Sequence, residues 1–122
     1  MDVFLGYGYA LNEENLRIIF PMKKYPGFDF MNHIYSHLRD NYHAKTERSE
    51  KDLIVELNIN ETSGTELFIG FIIGSCKLSY GKEISHRFNL NYDIKEALLN
   101  QFKIDHPEFD NDKIHVGTYL LE

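Results

Sequence analysis

The stretch from Leu53 to Tyr92 does most to limit what this chain can fold into. Leu53 to Ile59 sets Leu53, Val55, Leu57 and Ile59 against Ile54, Glu56 and Asn58, the two-residue period of a strand. Asn60 to Thr65, with Gly64, reads as a turn. Glu66 to Tyr80 opens with the longest apolar run of the chain, Leu67 to Cys76. A central strand covered on both faces reads this way. Its second part, Ser75 to Tyr80, alternates. After a tight turn at Gly81-Lys82, Glu83 to Tyr92 places Ile84, His86, Phe88, Leu90 and Tyr92 on one face. The other face, Glu83, Ser85, Arg87, Asn89 and Asn91, is wholly polar. Three adjoining strands joined by short turns predict an antiparallel meander.

The flanks add helices and two more places for strands. Val3 to Leu11 is apolar, aromatic and punctuated by Gly6 and Gly8, which predicts a strand close to another backbone. Leu16 to Phe20 (LRIIF) is read as a returning strand of an N-terminal hairpin, because Ile18, Ile19 and Phe20 are poor helix formers. The competing reading is a short helix with Asn12 as N-cap and acids in its first turn. Pro21 ends either element. A helix is predicted from Phe28 to His43 with Asp29 as N-cap, and Met31, Ile34, Leu38 and Tyr42 share one face. Asp93 caps a second helix. Asp93 with Glu96 resembles a capping box, Tyr92 can staple onto Ala97, and Ile94, Ala97, Leu98 and Phe102 mark the buried face. Ile114 to Leu121 is the last strand. The predicted order is β-β-α-β-β-β-α-β: an α+β fold, an antiparallel β-sheet with two helices packed on one face. No repeat or linker divides residues 1–122, so one domain is expected.

Charge narrows the function classes. Thirteen Lys and Arg stand against 19 Asp and Glu, a formal net charge of −6. Asp105 to Asp112 holds four acids and no Lys or Arg, and so carries most of that imbalance. An acidic chain repels phosphate backbones, so direct nucleic-acid binding is not expected. Asp2 stands where a secretory signal carries Lys or Arg, and no apolar run reaches the length of a membrane helix. The single cysteine, Cys76, cannot form an internal disulfide and fits a reducing compartment, so a cytoplasmic protein is expected. In that setting the sequon at Asn60-Glu61-Thr62 is a polar turn.

No motif for catalysis or metal binding is complete. His33 and His37 stand four apart on the first predicted helix, a spacing that can hold a metal. Ile34, however, occupies the place where a metalloprotease has Glu, and two surface histidines fit as well. His86, beside Arg87, lies among apolar residues, but no motif places a Ser or Cys nucleophile near it. Cys76 inside a predicted central strand reads as an inert buried thiol. Asp110 and Asp112 supply only a fragment of a calcium loop, which Lys113 and Ile114 break. Gly6-Tyr7-Gly8 lacks the third glycine and the following helix of a dinucleotide fingerprint. No cofactor, metal or catalytic residue is expected on these grounds.

The predicted order from residue 28 to 104, α-β-β-β-α, resembles that of double-stranded RNA-binding domains in element order alone. That resemblance implies a basic start to the second helix to meet phosphates, and this chain has Asp93-Ile94-Lys95-Glu96 there. The reading that remains is a small, acidic, non-enzymatic binding protein. Its expected role is an inhibitor or immunity-type protein that neutralises a basic partner such as a nuclease toxin. The expected contact residues are Asp105, Glu108, Asp110 and Asp112, with Phe109 as an aromatic anchor inside a charged rim. One alternative is a ligand-binding domain or enzyme with an aromatic pocket between sheet and helices, carrying His86 and Arg87. Another is a homo-oligomeric structural or viral accessory protein that associates through an exposed edge strand or the aromatic N-terminus.

Overall fold

Four antiparallel strands and three helices make up the fold in a computed structural model that describes residues 2–20, 28–49, 51–60, 64–77 and 92–121. In chain order these are β1 (Asp2–Leu11), α1 (Glu13–Ile19), α2 (Phe28–Asn41), β2 (Ile54–Asn60), β3 (Gly64–Lys77), α3 (Tyr92–Asp105) and β4 (Val116–Leu121). A single 3-10 turn, Pro107–Phe109, follows α3. The described strands form one sheet in the order β2-β3-β1-β4. The fold is therefore α+β with an antiparallel sheet, as the residue pattern predicts. The predicted strand Glu83–Tyr92, with His86 and Arg87, lies almost wholly outside the described residues, and its last residue, Tyr92, opens α3.

The period-two pattern of the strands separates two faces. Leu53, Val55, Leu67, Ile69, Phe71 and Ile73 meet Tyr7, Tyr9 and Leu11 on the helical side. There they join Phe30, Ile34 and Leu38 from α2 and Leu99 and Phe102 from α3. Ile54, Phe68, Ile72 and Leu121 form a second buried group on the opposite face, with Phe4 and Tyr119 packed against it. β1 and β3 run very close together where Gly8 pairs with Gly70. A Cβ added to Gly8 would lie 2.3 Å from the Ile69 carbonyl oxygen and 2.6 Å from Gly70 Cα. Only glycine fits that approach, the physical content of the punctuation seen in the first strand. The Phe68 ring fills the space that side chains at Gly6 and Gly70 would otherwise occupy.

The N-terminal hairpin is corrected. Leu16 to Phe20 does not return as a strand; residues 13–19 form α1. Local capping outweighs the strand preference of Ile18 and Ile19. The Asn12 side chain accepts from the Asn15 amide at 2.8 Å, and the Asn15 side chain accepts from the Asn12 amide at 3.2 Å, a reciprocal capping box. Glu13 and Arg17 pair one turn apart at 2.6 Å, and the Arg17 guanidinium lies 4.1 Å from the centre of the Phe30 ring. Leu16, fully buried, fastens the helix to the core. The space beside β1 goes to β4 and β3 instead.

The other shifts are smaller. α2 follows its predicted face, with Met31, Ile34 and Leu38 buried, but it begins at Phe28, so Asp29 lies inside the helix rather than before it. α3 already includes Tyr92 and Asp93, so Asp93 is not its N-cap and the proposed box with Glu96 does not form. Tyr92 packs on Tyr7, ring centres 4.9 Å apart, while Ala97 is exposed and takes no staple. The buried residues of α3 are Lys95, Leu99 and Phe102, whereas Ile94 is 62% exposed. Of the expected face, Phe102 is buried and Leu98 packs against the core, while Ile94 and Ala97 turn to solvent. Among the described residues no helix is long and apolar enough to cross a membrane.

Candidate functional site

The acidic segment Asp105 to Asp112 forms a corner between α3 and β4, and aromatic packing holds it. Phe102 ends the buried face of α3. Pro107 cannot donate to a continuing helix, so the chain tightens into the 3-10 turn. The backbone then closes on itself. The His106 amide donates to the Phe102 carbonyl at 2.8 Å, Phe109 to His106 at 3.1 Å, Asp110 to Pro107 at 3.0 Å and Ile114 to Asn111 at 3.2 Å. The Lys113 amide donates to the Asn111 side chain at 2.9 Å.

Phe109 is the fastener of this corner and not its exposed anchor. Its side chain is 1% exposed and stands among four rings: Phe102 at 5.0 Å, Tyr9 at 5.6 Å, Tyr42 at 5.7 Å and Phe20 at 6.1 Å between centres. The expectation that Phe109 projects toward a partner is thereby corrected. Alternation of charged and aromatic residues does not show which way a ring points when the backbone folds inward at a proline.

Tyr42, just beyond α2, is the second tie. Its hydroxyl donates to Glu108 Oε1, and its ring lies 4.2 Å from that of His106. Burial first, then the hydrogen bond and the charge of Glu108, hold this phenol protonated well above its ordinary range. Tyr9, beneath the corner, is pushed up to about 12, chiefly by burial and then by the charge of Asp110. Both tyrosines therefore stand neutral beside the acids. The Asp105 carboxylate accepts from Gln101 Nε2 at 3.0 Å. Asp110 and Asp112 are exposed, and among the described residues neither joins an ion pair. Of the predicted contact residues, Asp105, Asp110 and Asp112 thus face solvent on one braced corner, Glu108 is half-buried against Tyr42, and Phe109 is inside.

The remaining leads fall elsewhere. His37 packs edge-on to Phe20 at 5.5 Å, and its Nδ1 lies 3.2 Å from the Asn41 side-chain amide. His33 is exposed on α2. Among the described residues no group of three or more His, Cys, Asp or Glu is placed to hold a metal ion. Cys76 lies in β3 opposite Val3. An open depression of about 700 Å³ lies between the first turns of α1 and Gly64-Thr65, with Glu13, Glu14 and Arg17 in its wall. The aromatic rings of the helical side do not line it; they stack on one another instead.

No family model, characterised protein or solved structure matches this chain. The function must therefore be argued from the geometry. The feature that residue patterns missed is the tie between Tyr42 and Glu108, and no spacing rule could have found it, because the two lie 66 residues apart.

Proposed function

We propose that the chain is a non-enzymatic binding protein whose acidic corner docks onto a basic protein partner, in the manner of an inhibitor that covers a nuclease toxin. The observation that carries this reading is the bracing of the corner. Asp105, Asp110 and Asp112 stand exposed on a backbone closed by its own hydrogen bonds and fastened by buried Phe109. A surface already ordered before association spends less free energy on ordering when it binds. Concentrated charge speeds encounter with a basic cleft and makes the rate depend on salt. With Phe109 inside, the corner offers charge at its rim, and the apolar part of such an interface comes from the partner or from neighbouring surface. A cytoplasmic location belongs to the same proposal and rests on the lone Cys76.

The test is capture from a lysate of the source cells by three immobilised forms: the native chain, Asp110→Lys with Asp112→Lys, and a control with Asp40→Lys and Glu47→Lys. The control makes the same charge change at exposed positions outside the acidic segment. The reading expects a basic protein held by the native and control forms at low salt and lost from the corner variant. A basic partner held equally by all three forms, or only acidic and neutral partners, contradicts it.

A further inference from the structure

The two edges of the described sheet are treated in opposite ways. β2 is guarded: Lys45 forms a bridge to Ile54 on its outer side and pairs with Asp52, just before the strand, at 3.3 Å. A loop and charges that cover an edge are the ordinary protection against pairing with another chain. Among the described residues β4 has no such cover. Its six residues, Val116-Gly117-Thr118-Tyr119-Leu120-Leu121, include no charge and no proline. Among the described residues it pairs with β1 alone. The helical layer rests on β2, β3 and β1, and the helix-side residues Thr118 and Leu120 are exposed, Leu120 at 59%.

We propose that β4 is a self-association edge, where two copies of this chain pair their β4 strands antiparallel about a two-fold axis to make one continuous sheet. The proposal stands apart from the acidic corner and does not depend on it. Charge at this edge does not oppose a second copy as the occupant. Two chains that each carry −6 repel, and β4 is a surface on which they can meet without opposing like charges. The residue pattern also fits itself. A two-fold axis normal to the sheet keeps both helical layers on the same side, and opposed residues then share a face. With Thr118 on the axis, Leu120 of each copy meets Val116 of the other, an apolar pair on the helical side. Gly117 meets Tyr119, small against large, and Thr118 meets Thr118, a pair that sheets favour. The match covers the exposed Leu120 and satisfies the outer backbone groups of both strands.

The register makes the test sharp. Opposed residues at the axis have Cα atoms about 4.5–5.5 Å apart, within the span of a disulfide. Under mild oxidation Thr118→Cys should therefore form a covalent dimer linked through residue 118, and peptide mapping separates this link from one through Cys76. By sedimentation equilibrium across the micromolar range, the native chain should show twice its 14.4 kDa mass. Thr118→Lys and Leu120→Lys, each with unchanged circular dichroism, should show the single mass. Both positions are exposed, so neither variant disturbs the core. A monomeric native chain over the whole range overturns the proposal, as does a dimer that persists in both lysine variants or fails to cross-link at residue 118.

Discussion

Replacing Phe109 by Ala separates a surface anchor from a buried fastener. An exposed phenylalanine at a loop tip changes folding stability by no more than about 0.5 kcal/mol on truncation. A buried one loses its transfer energy and leaves a cavity, for about 3–5 kcal/mol in total. Phe109 is 1% exposed, and its four neighbouring rings come from β1, the segment after α1, the residue after α2, and α3. Those rings sit on separate elements, so they cannot close the void without moving the frame, and the loss should be about 4 kcal/mol. That is a large share of the roughly 5–15 kcal/mol that holds a domain together. At about 4 °C per kcal/mol for a chain of this size, Tm should fall by about 15 °C. Urea unfolding followed by far-ultraviolet circular dichroism measures it, since the chain has no Trp. Phe109→Leu should recover most of the loss. A change under about 1 kcal/mol for Phe109→Ala would refute the burial argument and return Phe109 to the surface.

Three further outcomes follow from the same packing. Gly8→Ala should cost at least about 2 kcal/mol, because its Cβ meets backbone atoms of β3 that cannot swing aside; unchanged urea stability would contradict the close approach. Tyr42→Phe removes the donor to half-buried Glu108 and should cost about 1.5 kcal/mol, and no loss in urea would show that bond to be idle. Alkaline stability has a definite sign: Tyr7 and Tyr9 keep their protons up to about 12 when folded, and Tyr42 shifts the same way, whereas an unfolded tyrosine ionises near 10. For Tyr7 the hydrogen bond with Tyr92 is the main cause, ahead of burial. The unfolded chain therefore binds fewer protons above pH 10, so stability should hold below about pH 10 and fall between about 10 and 12. Urea midpoints that stay level through that window would refute these shifts.

Where side-chain periodicity met one buried surface, the residues were enough. Met31, Ile34 and Leu38 mark the face that α2 buries, and the run from Leu67 to Ile73 announces a strand with apolar neighbours on both sides. Where two local preferences competed, the weaker-looking one won. Ile18 and Ile19 favour a strand by propensity, yet the reciprocal bonds of Asn12 and Asn15 and the burial of Leu16 set a helix. α3 shows a different limit. Ile94 and Ala97 look like its core face, but Lys95 is buried and Ile94 is exposed, because contacts with β1 and β3 decide the rotation. The candidate site was legible as charge and not as shape. Four acids in eight residues are plain in the sequence. That Phe109 turns inward and Tyr42 reaches Glu108 depends on elements brought together from opposite halves of the chain.

In the folded chain the backbone hydrogen bonds and buried Phe109 fix the acidic corner before any partner arrives. Hydrogen exchange of the backbone amides of His106, Phe109, Asp110 and Ile114 measures this, since each donates to a backbone carbonyl three or four residues earlier. These four should exchange slowly, with opening free energies of several kcal/mol, well above the near-zero values of a mobile loop. Exchange at the rate of an unstructured peptide would make the corner a flexible acidic tail between α3 and β4, and the argument from a pre-ordered surface would fail.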